Sequence, residues 1–125
     1  MNKASVRKKV MKEMKDIFYN SDDEYIDWMG NKIDDINYPT YHHIEKREDL
    51  KKDGKDIEAT IENGAYLGII SHQRLHDIEK IDLDLYYSWN KLFRLINDRR
   101  CYMSKEIFNM INELNRLSDD ILDKN

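Results

Sequence analysis

The sequence predicts one α+β domain spanning 1–125, mostly helical, with a short β-hairpin and helix at its centre and longer helices on either side. Three observations lead there. Apolar residues recur at helical spacing near both ends of the chain. The middle switches to short aromatic and β-branched runs, punctuated by Pro39, Gly54 and Gly68. A chain of 125 residues with 40% apolar content also suffices to bury one core, although 37% of its residues are charged.

The elements follow in order. Residues 4–19 place Val6, Val10, Met14, Ile17 and Phe18 on one stripe, a first helix. Ser21 followed by Glu24 is a capping-box signature that opens a second helix carrying Tyr25, Trp28, Met29, Ile33 and Ile36. Pro39 ends it, and a strand starts near Thr40. Residues 45–58 are almost all charged and read as a long exposed loop with Gly54 at its turn; loops of that length are often functional. Ala65 to Ile70 suits a second strand, weakened by Gly68. Ser71 then N-caps a short helix carrying His72, Leu75, His76 and Ile78. Residues 83–98 form a helix with Leu85, Trp89, Leu92, Phe93 and Ile96 inward, and Ser104 caps a last one carrying Ile107, Ile111, Leu114, Leu117 and Ile121. These stripes are core, not a cofactor site.

Several classes are excluded. No apolar run is long enough to span a bilayer, and the N-terminus lacks the apolar stretch of a secretory signal, so the expectation is a cytoplasmic protein with no membrane partner. The single cysteine, Cys101, excludes an intramolecular disulfide and a thiolate zinc ribbon, and reads as a small packed side chain. The formal net charge of −4 is not that of a generic basic nucleic-acid binder. Charge is uneven, however. Residues 1–19 carry six Lys/Arg, whereas residues 20–40 carry six acids against Lys32 alone. The basic end reads as a solvated helix face, or as a face that contacts phosphate.

The chemistry is concentrated in four histidines, which form two tight pairs, His42–His43 and His72–His76. On a helix, His72 and His76 lie on one face, one turn apart, a recurrent way to hold a metal ion. Alone, such a pair is more often an ordinary helix face than a metal site. On an extended chain His42 and His43 point in opposite directions and should not share one role. One can join His72 and His76 as a third ligand, leaving open metal positions for water or a phosphate oxygen. The other is then free to take a proton from an attacking water. Arg74 projects from the helix that carries two of the ligands and is the arginine expected to contact phosphate, whereas Arg47 reads as part of a solvated loop. Tyr41 reads as a packing residue. Asn63-Gly64 by itself is an ordinary turn dipeptide.

The order His42-His43, Asn63, His72, then His76 resembles the active-site element of the HNH nucleases, over about residues 38–80. Asn63 lies nine residues before His72, as in the histidine-rich members of that family, and Ile44 and Leu67 fit its apolar positions. The resemblance implies a ββα-metal arrangement in which a hairpin and a helix grip one divalent ion. It implies metal ligation by His42, His72 and His76, a general base at His43, and a bracing role for Asn63. The sequence departs from the family's cysteine-ribbon members, having no Cys-x-x-Cys pair.

The function expected is metal-dependent hydrolysis of phosphodiester bonds in DNA by a small protein of the kind frequent in phages and mobile elements. The three imidazoles favour a transition metal (Zn, Mn, Ni or Co) over Mg, which prefers oxygen ligands. DNA binding should be weak and salt-dependent. The alternative is a non-catalytic interaction protein on the same scaffold. Such a protein would be a phage-encoded inhibitor or modulator that presents acidic positions such as Asp22, Asp23, Asp34 and Asp35 to the basic surface of a host nucleoprotein.

Overall fold

A computed structural model of the chain describes residues 3–19, 26–54, 59–100 and 104–124. Among the described residues, five helices and one antiparallel hairpin run in the order α1 (Lys3–Phe18), β1 (Pro39–His43), α2 (Arg47–Lys52), β2 (Gly64–Gly68), α3 (Ile69–Ile81), α4 (Leu83–Arg99) and α5 (Lys105–Asp123). The fold is the mostly helical α+β class that the periodicities predict. No helix among the described residues is long and apolar enough to cross a membrane.

The end helices form, with most of each stripe inward, but Ile17 and Leu117 of those stripes are exposed. In α1, Val10, Met14 and Phe18 turn inward and leave Lys8, Lys9 and Lys12 exposed. Ser104 caps α5, its Oγ accepting from the Ile107 N–H at 3.1 Å. Between α3 and α4 only Asp82 intervenes, and its side chain caps α4 by accepting from Leu85 N–H at 3.0 Å. The core is aromatic at its centre. Trp28 meets Phe18 edge-on at 5.0 Å and Phe93 at 6.3 Å, and Phe93 meets Trp89 at 5.9 Å. The buried Trp89 N–H is satisfied by the Ser118 hydroxyl at 3.0 Å.

A two-stranded hairpin is marginal alone and needs a packing partner. Here it lies against α1, α3 and α4, in a register that pairs Thr40 with Leu67 and His42 with Ala65. The Asn97 side-chain amide of α4 donates to Gly64 O at 2.7 Å, tying the start of β2 to that helix.

Three expectations are corrected. The second helix does not form over residues 26–38, where an Ile26–Lys32 bridge and a turn at Gly30 (φ +88°) stand instead; Ser21, Glu24 and Tyr25 lie outside the described residues. Short acidic side chains capture the backbone donors that a helix would use. Asp27 Oδ1 accepts from Met29 and Asn31 N–H, both at 3.0 Å, and Asp34 Oδ1 accepts from Ile36 at 2.9 Å and Asn37 at 2.7 Å. Second, the charged segment 45–58 is not loop throughout. It contains α2, with Leu50 buried, Glu48 and Asp49 in the first turn and Lys51 and Lys52 in the last, complementing the helix dipole. Gly54 follows at φ +71°, as a turn there requires.

Third, Ser71 is not the cap of α3 but a buried residue inside it, accepting from Asn31 Nδ2 at 2.8 Å. The helix starts at Ile69, whose preceding residue, Gly68, meets the Asn37 side chain. Asn37 Oδ1 accepts from Ile70 N–H at 2.9 Å, so a residue distant in sequence does the capping. A Cβ on Gly68 would lie 2.1 Å from Asn37 Oδ1. Asp27, wholly buried, completes this junction: its Oδ2 accepts from Gly68 N–H at 3.0 Å and Asn37 Nδ2 at 3.4 Å.

Asp27→Ala strands several buried donors at once. It should lower stability by about 3 kcal/mol or more, and Gly68→Ala by roughly 1–3 kcal/mol through overpacking. Urea unfolding monitored by tryptophan fluorescence checks both. An unchanged midpoint for Asp27→Ala would contradict the role given to this junction.

Candidate metal centre

Three of the four histidines come together. One ring nitrogen from each of His42, His72 and His76 lies within 4.8 Å of the others, a grouping that can hold a metal ion. The elements explain the convergence. His42 is on the face of β1 that meets α3, and its ring packs edge-on against His72 at 5.2 Å and His76 at 6.0 Å. His72 and His76, one turn apart on α3, are 4.8 Å apart between ring centroids.

Each ring is held by a partner that also selects its tautomer. The Thr40 hydroxyl donates to Leu67 O at 2.8 Å, so its contact with His72 Nδ1 at 2.9 Å is one in which the imidazole N–H donates. His72 Nε2 is thereby left with its lone pair. Glu79 Oε1 lies 3.2 Å from His76 Nδ1, which fixes the proton there and again leaves Nε2. Glu79 is itself ion-paired with Lys46. His42 Nε2 donates to Asn90 Oδ1 at 2.8 Å, leaving Nδ1. A hydroxyl, a carboxylate and an amide thus orient three imidazoles from behind, the usual arrangement around a ligated histidine.

Burial favours the ligating form. Desolvation pulls His42 down to about 3, with His72, His76 and His43 adding repulsion and only the Asn90 bond opposing. Desolvation, followed by repulsion from His76 and His43, pulls His72 down to about 4. Both are neutral at pH 7 and need shed no proton to bind a cation.

His43 occupies the other face of β1. Its ring stands edge-on to Tyr41 at 4.7 Å, while His42 faces Tyr86 and Phe93. Both histidines nevertheless line one cavity of about 280 Å³, with His72, His76, Lys46, Arg47, Glu48, Tyr41 and Tyr86. Asn63 sits behind the strand end. Its Oδ1 accepts from Glu45 N–H at 2.8 Å, its Nδ2 donates to Glu45 O at 3.1 Å, and its backbone O accepts from Ile44 N–H at 2.8 Å. This double clasp fixes the chain immediately after His43. Tyr41 is a packing residue, its hydroxyl donating to Thr60 O at 2.7 Å and accepting from Thr60 N–H at 3.0 Å.

Arg74 is not brought to the site. It points to α5 and pairs with Asp119 at 2.6 Å, because its position on α3 lies on the side away from the hairpin. Arg47 lines the cavity instead, since α2 begins there and brings its first two residues, Arg47 and Glu48, into the lining. Sequence reasoning also passed over Thr40, Glu79 and Asn90. Glu79, three residues after His76 on a helix, had a readable spacing; Thr40 and Asn90 had none. Cys101 lies outside the described residues. Comparisons with models of known protein families, with curated proteins and with solved structures return no match.

The buried histidines make metal-free stability depend on pH. In the unfolded chain they take up protons near pH 6.5, whereas folded His42 and His72 do so only near 3 and 4. Their stabilising contribution is therefore complete above pH 6.5 and is lost as pH falls toward 4, by an amount on the order of a few kcal/mol. Urea unfolding across that range should show it, and His42→Gln should flatten the slope. A slope unchanged by that substitution would refute the linkage.

Proposed function

We propose that this protein is a metal-dependent endonuclease of the HNH type that hydrolyses phosphodiester bonds in DNA. One observation carries the reading. Three back-braced imidazoles converge in a cavity that a fourth imidazole, His43, enters from the opposite strand face. A purely structural cluster would not require that fourth ring.

The donor set fits a transition metal such as Zn²⁺, Mn²⁺, Ni²⁺ or Co²⁺ better than Mg²⁺, because all three donors are neutral nitrogens. His42 Nδ1, His72 Nε2 and His76 Nε2 would hold it. When bound, such a cation supplies Lewis-acid stabilisation of the charge that builds on a phosphate and its leaving oxygen. The chain's own residues do the rest. His43 takes the proton from a water attacking phosphorus, a task suited to an imidazole because its ordinary titration lies near neutrality. Asn63 is a positioning residue that holds the strand end carrying His43. Arg47 supplies the phosphate contact in place of Arg74, its guanidinium matching two phosphate oxygens.

Calorimetric titration should give tight binding of Zn²⁺ or Mn²⁺, abolished in the His72→Ala/His76→Ala protein. Unchanged affinity in that double variant would remove the proposed site. In a plasmid-nicking assay with metal, His43→Ala should keep metal affinity yet lose about 10²–10⁴-fold in rate. A metal-loaded wild-type protein that cleaves neither DNA nor RNA would turn the assignment toward the interaction reading.

A further inference from the structure

The histidine cavity continues into a second groove of about 600 Å³, the two sharing Lys46, Glu48 and Tyr86. One wall of the extension is a single stripe of α4, on which Tyr86, Tyr87, Asn90, Lys91 and Arg94 recur at helical spacing. Along it, Tyr86 is buried beneath the metal cavity, whereas Tyr87 is 57% exposed, its ring 5.8 Å from that of Tyr86. One and two turns further lie Lys91 and Arg94, both exposed and neither in an ion pair among the described residues. The rest of the lining is mostly acidic, with Glu45, Glu48 and Asp49 beside the Lys46–Glu79 ion pair.

We infer that this stripe of α4 is the track for a single nucleic-acid strand leading away from the scission site, with a base stacked on Tyr87 and phosphates on Lys91 and Arg94. The inference rests on the nuclease reading and extends it to substrate form. An exposed tyrosine followed by spaced cations is the combination that single strands use, because every base has a face to stack and each linkage one charge. The acidic lining selects against a duplex. A double helix presents phosphates on both sides and would bring one backbone against Glu48 and Asp49. A single strand can turn its charged edge to α4 and its base edges, with their amino donors, to the carboxylates.

The test uses the full chain loaded with Mn²⁺, in a His43→Ala background for binding and the wild-type background for cleavage. Fluorescence anisotropy is read with labelled single-stranded DNA, single-stranded RNA and duplex DNA of equal length. Single strands should bind more tightly than the duplex, and comparison of the DNA and RNA arms identifies the sugar preferred. Tyr87→Ala should weaken single-strand binding about tenfold, with Tyr87→Phe near wild type. Lys91→Gln/Arg94→Gln should lower the log–log salt slope by about 1.4, two phosphate contacts at roughly 0.7 each. Hydrolysis of bis(p-nitrophenyl) phosphate, too small to reach from the histidine cavity to Tyr87, Lys91 and Arg94, should be unchanged by these substitutions. Tighter duplex binding, no single-strand binding, or variants that bind single strands as wild type does would each overturn the track. If the small diester and the oligonucleotides are cleaved while the variants bind normally, the nuclease reading stands and the track falls. If nothing is cleaved but binding depends on Tyr87, Lys91 and Arg94, the track stands and the nuclease reading falls.

Discussion

The buried carboxylate of Asp27 is the constraint on which the rest of the structure depends. It collects backbone donors from Met29, Asn31 and Gly68, and a side-chain donor from Asn37. Those four groups belong to the loop before the hairpin, the end of β2 and the residue that caps α3. Because α3 starts at a fixed place, His72 and His76 are brought beside His42 of β1, with His76 still partly open to solvent. A wholly buried acid is costly unless its oxygens are satisfied, and here both oxygens accept two bonds. The polar junction thus specifies one register of strand, turn and helix where apolar packing alone would tolerate several.

The candidate site has its own division between what touches a cation and what orients the touching groups. Thr40, Glu79 and Asn90 come from β1, α3 and α4 and never enter the cluster, yet each decides which ring nitrogen remains available. Preorganisation of this kind lowers the cost of binding, since the rings are already oriented when a cation arrives and His42 and His72 have no proton to shed. The burial that keeps His42 neutral is supplied by the aromatic core, chiefly Tyr86 and Phe93. Core and site are one construction.

Charge is distributed to match. The molecule is acidic overall, with a formal net charge of −4, but the cations near the cavity that have no ion pair among the described residues are local: Arg47 on α2, then Lys91 and Arg94 on α4. Attraction for a polyanion is therefore short-ranged and directional, and acidic groups in the rest of the lining limit how a ligand can lie. Such a surface favours placement over sheer affinity.

The sequence by itself determined the elements whose signal is local. The stripes of α1, α4 and α5, the Ser104 cap and the alternation that separates His42 from His43 all follow from neighbours a few residues apart. So does the His72–His76 face, whereas the bracing role of Asn63 came only as an implication of the resemblance to the HNH element. The tertiary structure decided whatever rests on hydrogen bonds between distant segments. Trp28, Met29 and Ile33 look helical by spacing, but Asp27 and Asp34 take the backbone donors and make a turn-rich loop. Ser71 has the chemistry of a cap, but Asn37, 33 residues before Ile70, holds the position. Arg74 and Arg47 are both arginines in charged surroundings, and only the packing of α3 on α5 and the start of α2 at the cavity tell them apart. Periodicity reports which face of a segment is buried. It carries no record of which remote group that face will meet, and the partners of the histidines are of that remote kind.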